Sequence, residues 1–142
     1  MTTPRNEFTD VTAQAGVAEP RRSVPTWFWD YDNDGWMDLF VTRLDDTDIL
    51  FRNMGDGTFM DVSEDVGLPI QLPSNGSAWG DIDNDGYFDI FAGNFAHPGQ
   101  PQSRFLHNLG PEQGYKFADK GQCGVAFQES YASPTLGDYD ND

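Results

Sequence analysis

Apolar residues fall in short runs along this chain. Residues 27–29, 39–41, 49–51 and 90–92 are rich in aromatic and branched side chains and are bounded by Gly, Asn, Asp and Pro. Runs this short, punctuated this way, predict β-strands joined by turns. The stretch Asn53-Met54-Gly55-Asp56-Gly57 predicts a hairpin turn, because Gly and Asp tolerate positive φ. Helix is expected only as single turns, over 10–16 and 61–67, each closing on a glycine.

The pattern repeats. Trp29-Asp30-Tyr31-Asp32-Asn33-Asp34-Gly35-Trp36-Met37-Asp38-Leu39-Phe40 matches Gly80-Asp81-Ile82-Asp83-Asn84-Asp85-Gly86-Tyr87-Phe88-Asp89-Ile90-Phe91, and a third copy opens at Gly137-Asp138-Tyr139-Asp140-Asn141-Asp142. Other landmarks keep the same spacing: Gly16-Val17 returns as Gly67-Leu68 and Gly124-Val125, and Leu50-Phe51-Arg52-Asn53 as Phe105-Leu106-His107-Asn108. The second copy is longer by insertions at 97–101 and 111–114, both rich in turn formers. A period of roughly 50 residues, with some four strands in each, suggests β-propeller blades. The expected fold class is therefore all-β: four-stranded antiparallel blades across residues 1–142, with an incomplete ring. Seven blades would need roughly 350–400 residues, so the expectation is a piece of a longer chain or copies that associate.

The repeated segment carries the chemistry. Asp-x-Asp-x-Asp-Gly-x-x-Asp places carboxylates at positions 1, 3, 5 and 9 of a tight loop, with a glycine at the sharp turn and the carbonyl of position 7 turned inward. Calcium takes six to eight hard oxygen ligands in flexible geometry, and this set supplies them. The candidate ligands are Asp30, Asp32, Asp34, the Trp36 carbonyl and Asp38 in loop 30–38, and Asp81, Asp83, Asp85, the Tyr87 carbonyl and Asp89 in loop 81–89. Asp138, Asp140 and Asp142 begin the truncated loop 138–142. Four carboxylates so close repel one another without a cation. An EF-hand needs a bidentate Glu at position 12 and flanking helices, whereas Val41 and Ala92 stand there inside strand-like runs. Magnesium prefers fewer carboxylates and more water. Because the two loops lie a full repeat apart, a substitution at Asp34 or Asp85 is expected to touch one site only.

Composition narrows the partners. The chain has 24 acidic and 8 basic residues, a formal charge of −16. That balance excludes nucleic acid and an anionic membrane surface as targets, since both need Lys and Arg. An aromatic content of 14% argues for a folded core and against acidic disorder. No apolar run is long enough to span a bilayer, and the first residues lack a signal-peptide pattern. Cys123 stands alone, so no internal disulfide is expected.

Residues 27–41 resemble an FG-GAP or VCBS-type repeat. Leu50-Phe51-Arg52-Asn53-Met54-Gly55-Asp56-Gly57-Thr58-Phe59, with Asp61-Val62-Ser63 and Gly67-Leu68 after it, is similar to the cartilage-acidic-protein and UnbV-associated branch. The resemblance implies a propeller, commonly seven-bladed, with calcium in the interstrand loops. It also implies secreted or surface proteins that bind partners and do not catalyse. Trp29 departs from the pattern, standing where Gly80 and Gly137 stand, so the first loop is expected to enter its site differently.

The remaining candidates have plainer readings. Cys123 aligns with Ala15 and Val66 and is expected as a small buried apolar residue. His107 aligns with Arg52 and is read as a polar surface position; His97 lies in an insertion. Trp27, Trp29, Trp36 and Trp79 suit packing between blades better than a sugar-binding face. Glu64 and Asp65 are expected to be solvated, and Ser130 and Ser133 lack a base. The chain thus reads as a calcium-binding, non-enzymatic repeat module with structural Ca2+. It is expected to be extracellular, at the cell surface or periplasmic, and to meet a protein or glycan ligand, as in cell adhesion. The alternatives are a propeller of a secreted carbohydrate-active enzyme and a self-assembling surface protein. Self-association or a longer parent chain is expected, with no nucleic acid and no membrane insertion.

Overall fold

Eight strands form two sheets of four. The first contains β1 (Ser23–Trp29), β2 (Asp38–Arg43), β3 (Ile49–Asn53) and β4 (Phe59–Asp61). The second contains β5 (Gly76–Gly80), β6 (Asp89–Gly93), β7 (Arg104–Asn108) and β8 (Phe117–Gly121). Within each sheet the strands follow chain order and every neighbouring pair is antiparallel. The computed structural model describes residues 7–19, 23–44, 46–68, 74–94, 102–124 and 134–139. The all-β reading holds: these are two adjacent propeller-type blades, and the described residues form no closed barrel. Among the described residues the one helical element is a single 3-10 turn, Pro111–Gln113, at the second insertion. The insertion at 97–101 lies outside the described residues.

Strand alternation decides how the blades stack. Phe40 pairs with Leu50, and Ile90 with both Trp79 and Leu106, so each set shares one face of its sheet. These two faces meet in the main core, joined by Tyr31, Val62, Val66, Leu68 and Phe117. Trp79 seals the junction edge-on against Phe40 at 5.2 Å and Phe117 at 6.3 Å. The outer face of the first blade carries Val41, Ile49 and Phe51, with Val17 and Phe59 against them. That of the second carries Ala78, Phe91 and Phe105, covered by Leu136. The inner strands β2 and β6 are thus buried on both sides, which is why the sequence shows solid apolar runs there and not clean alternation.

The expected turns are present. Met54 N–H donates to the Thr58 carbonyl at 2.9 Å, closing the β3–β4 hairpin. Gly55 there has φ 73°, and a Cβ would meet the Trp36 ring at 3.0 Å. Hydrogen-bonded turns, not helices, end at Gly16 and Gly67. Each docks on the next outer strand: Phe59 N–H donates to the Ala15 carbonyl, and Phe117 N–H to that of Val66. This explains a correction. Cys123 is exposed, not buried. Its turn has no strand laid across it among the described residues, whereas Ala15 and Val66 are covered in this way. The tryptophans divide as well. Trp79 and Trp29 pack between blades, but Trp27 and Trp36 are exposed. Glu64 and Asp65 are exposed as expected; Ser130, Ser133 and His97 lie outside the described residues.

Asp48 ties the blades at the far end of the sheets. Its Oδ1 accepts the Arg43 N–H at 2.9 Å and its Oδ2 the Ser74 hydroxyl at 2.6 Å. Burial pushes its carboxyl up to about 6, against 3.8 ordinarily, although these hydrogen bonds favour the charged form. A raised carboxylate pKa means that folding favours the protonated form. The stability this gives is present below about pH 4 and is lost as pH rises through about 6. Asp48→Asn is therefore expected to stabilise the protein at pH 7.5 by on the order of 1–2 kcal/mol and to change little at pH 4. Urea unfolding at the two pH values checks this; equal effects at both would remove Asp48 as the cause.

Candidate metal centre

Each acidic loop joins the first two strands of its blade, and its own carboxylates build it. Asp30 Oδ1 accepts the Asp34 N–H at 3.0 Å and Oδ2 the Gly35 N–H at 2.9 Å, while Asp34 Oδ1 accepts the Trp36 N–H at 2.9 Å. The second loop repeats this with Asp81, Asp85, Gly86 and Tyr87 at the same distances. The turn needs left-handed backbone: Asn33 and Asn84 lie at φ 54° and 58°, Gly35 and Gly86 at 89° and 90°. Gly tolerates this region without penalty and Asn tolerates it better than most residues. Trp29 and Gly80 enter in the same register, opposite Asp38 and Asp89. The expected difference at Trp29 is therefore not seen; its ring packs across the blade junction on Phe88 at 4.2 Å.

Position 9 anchors the loop in the sheet. Asp38 and Asp89 open β2 and β6 and are each 1% exposed. Asp38 accepts the Asn53 N–H at 2.7 Å and the Tyr31 N–H at 3.1 Å. Asp89 accepts the Asn108 N–H at 2.8 Å and the Ile82 N–H at 3.1 Å. Burial pushes Asp38 up to about 6 in spite of these bonds, with Asp32 and Asp34 adding repulsion. Asp32 is also raised, by burial first, against the pull of Arg52.

The structure brings positions 1, 3 and 9 together. Oxygens of Asp30, Asp32 and Asp38 lie within 4.8 Å of one another, as do those of Asp81, Asp83 and Asp89. Asp32 Oδ1 is buried with no hydrogen-bond partner. A buried carboxylate oxygen facing other carboxylates is costly unless a cation meets it, so the residues fit a hard divalent ion. Position 5 stands apart from this trio. Asp34 closes the turn and pairs with Arg52 Nη2 at 3.1 Å, and Asp85 groups instead with Asp83 and His107. Trp36 is exposed, and Tyr87 is half-buried against Tyr115. Asp138 is exposed beside the second loop, where residues 136–139 and Asp81 line a cleft of about 450 Å³. Asp140 and Asp142 lie outside the described residues.

Three features escaped the sequence reading. Arg52 Nε sits 2.8 Å from Asp32 Oδ2, so the same side chain spans positions 3 and 5. His107 is not a plain surface residue: its Nδ1 lies 3.0 Å from Asp89 Oδ1 and 3.7 Å from Asp83 Oδ2. The loops also adjoin, against the expectation that a full repeat separates them. Asn33 Nδ2 donates to the Gly86 carbonyl at 3.0 Å, and the fully buried Asn108 Nδ2 donates to the Tyr31 carbonyl at 3.0 Å. Repeats are sequential in the chain, but stacked blades set their loops side by side. The available signal was the fixed place of Arg52-Asn53 and His107-Asn108 one repeat apart.

This geometry agrees with the comparisons to known proteins. Residues 30–92 match the FG-GAP-like repeat family. Residues 30–92 of this chain are thus similar to an FG-GAP-like repeat. Its relatives include cartilage acidic protein 1 of Xenopus tropicalis, 27% identical over 111 residues, covering 78% of this chain and 16% of that protein. Cartilage acidic protein 1 of Homo sapiens is 27% identical over 135 residues, covering 94% of this chain and 20% of that protein. The chain thus spans a fifth or less of the length of these relatives.

The contacts between the two loops carry a prediction. Asn108→Ala strips a buried partner from the Tyr31 carbonyl and is expected to cost about 1–3 kcal/mol. Asn33→Gly keeps the left-handed turn and loses one exposed hydrogen bond, at about 0.5 kcal/mol. Urea denaturation of the two variants checks the ranking; an Asn33→Gly effect as large as that of Asn108→Ala would reverse it.

Proposed function

We propose that the chain is a calcium-binding module of an extracellular protein, in which the ion is structural. The observation that carries this reading is the unpartnered, buried Asp32 Oδ1 beside Asp30 and Asp38. Asp30, Asp32 and Asp38 would hold one ion, with Asp34 and the Trp36 carbonyl at the rim. Asp81, Asp83 and Asp89 would hold a second, with Asp85 and the Tyr87 carbonyl. Bound calcium supplies charge neutralisation and fixes the turn between the first two strands of each blade. The role of these residues is binding and not catalysis. A stiffened row of loops along one edge of stacked blades then presents a surface to a protein or glycan partner. The formal charge of −16 favours partners with cationic or neutral surfaces. Among the described residues no helix is long and apolar enough to cross a membrane.

Self-association is the second reading, and one observation favours it. β1 is an edge strand, and Trp27 and Phe28 on it are 39% and 60% exposed. An edge with large apolar side chains is a surface for another blade, from this protein or from a second copy.

Calcium is expected to raise the melting temperature, because it binds the folded loops and not the unfolded chain. With dissociation constants of about 0.1–1 mM, each site adds about 0.4–1.4 kcal/mol at 1 mM calcium. Asp32→Asn is expected to remove roughly half of the shift, since one of two sites is weakened. Melting in calcium against chelator, at matched ionic strength, is the measurement; identical curves for the unsubstituted chain would sink the reading.

A further inference from the structure

The two loops differ in what stands on the outer side of positions 3 and 5. In the first, the Arg52 guanidinium lies 2.8 Å from Asp32 and 3.1 Å from Asp34, so a cation built into the chain fills that place. In the second, the aligned residue is His107, shorter and able to be neutral. One atom each from Asp83, Asp85 and His107 lie within 4.8 Å of one another, close enough to bind one ion. We propose that this outer side of the second loop is a separate metal site, taking a borderline divalent transition ion such as Zn2+ through Asp83, Asp85 and His107.

The donor set sets the class of ion. Imidazole with two carboxylates suits zinc, manganese or cobalt, whereas magnesium and calcium take oxygen alone. The buried Asp89 carboxylate, 3.0 Å from His107 Nδ1, holds the ring beside Asp83, whose Oδ2 lies 3.7 Å from the same nitrogen. A cleft of about 300 Å³, lined by Asp83, Asp89, His107, Lys120 and Cys123 among others but not by Asp85, gives an ion access to two of the three donors. The first loop lacks the imidazole and has the Arg52 guanidinium in its place. The site shares Asp83 and Asp85 with the proposed calcium shell but does not depend on calcium occupying it.

Calorimetric titration of Zn2+ into the full chain tests this, once after chelator treatment and once in 1 mM calcium. One Zn2+ per chain is expected in the calcium-free protein. Losing a supporting partner alone costs roughly 10–100-fold in metal affinity, so His107→Arg, which copies the first loop, is expected to weaken zinc at least about tenfold. Arg52→His is expected to create a second zinc site. Cys123→Ser is expected to leave zinc affinity unchanged. A cooperative melt of each variant shows that it is folded. The proposal is overturned if zinc does not bind, if His107→Arg binds it as well as the parent, or if Cys123→Ser abolishes binding. The melting shift of the unsubstituted chain in calcium is read separately. Zinc failure with a calcium shift overturns this site alone, and zinc binding without a calcium shift overturns only the calcium reading.

Discussion

Carboxylates held out of water at the mouth of each blade are the constraint on which the rest of the structure turns. Asp38 and Asp89 lead the central strands at 1% exposure, where an unpaired charge is expensive. Each is therefore wrapped by backbone N–H groups from the preceding loop and from the end of the next strand. Those bonds dictate the path of the loop, and the loop dictates where positions 1 and 3 point. Asp32 is drawn in to 5% exposure, with one oxygen against Arg52 and the other unpaired. The fold thus concentrates negative charge that it only partly neutralises by itself.

The apolar core makes that concentration possible. Phe40 and Leu50 of one blade and Ile90 and Leu106 of the other pack together as one buried cluster between the sheets. Burying such side chains stabilises by about 1.5–3 kcal/mol each, which offsets the cost of the polar groups at the rim. The same stacking sets the two loops side by side. Asn108 spans them, its N–H on Asp89 and its side chain on the Tyr31 carbonyl of the other loop. A buried amide thus bridges the two loops.

Much of this was legible in residue order. Short runs at 27–29, 39–41, 49–51 and 90–92 predicted strands, and all became strands, because apolar residues bounded by Gly, Asn and Asp have few other ways to be buried. The Asp-x-Asp-x-Asp-Gly loops were visible because the turn demands Gly and Asn at fixed places, and the structure uses them with φ near 90° and 54–58°. Cys123 and His107 went wrong for one reason. Alignment with Ala15 or Arg52 gives a position within a blade, but what covers that position comes from a different blade or strand.

Sequence alone therefore determined the repeat unit, its strands and the carboxylates of each loop, since these depend on residues close in the chain and on backbone preferences. Tertiary structure decided which faces of the two sheets met. It decided that Asp30, Asp32 and Asp38 converge while Asp34 turns to Arg52, that His107 stands against Asp83 and Asp89, and that neighbouring loops touch. Those outcomes depend on contacts between residues far apart in the chain. They are fixed by the packing of one blade on the next, which no local pattern encodes.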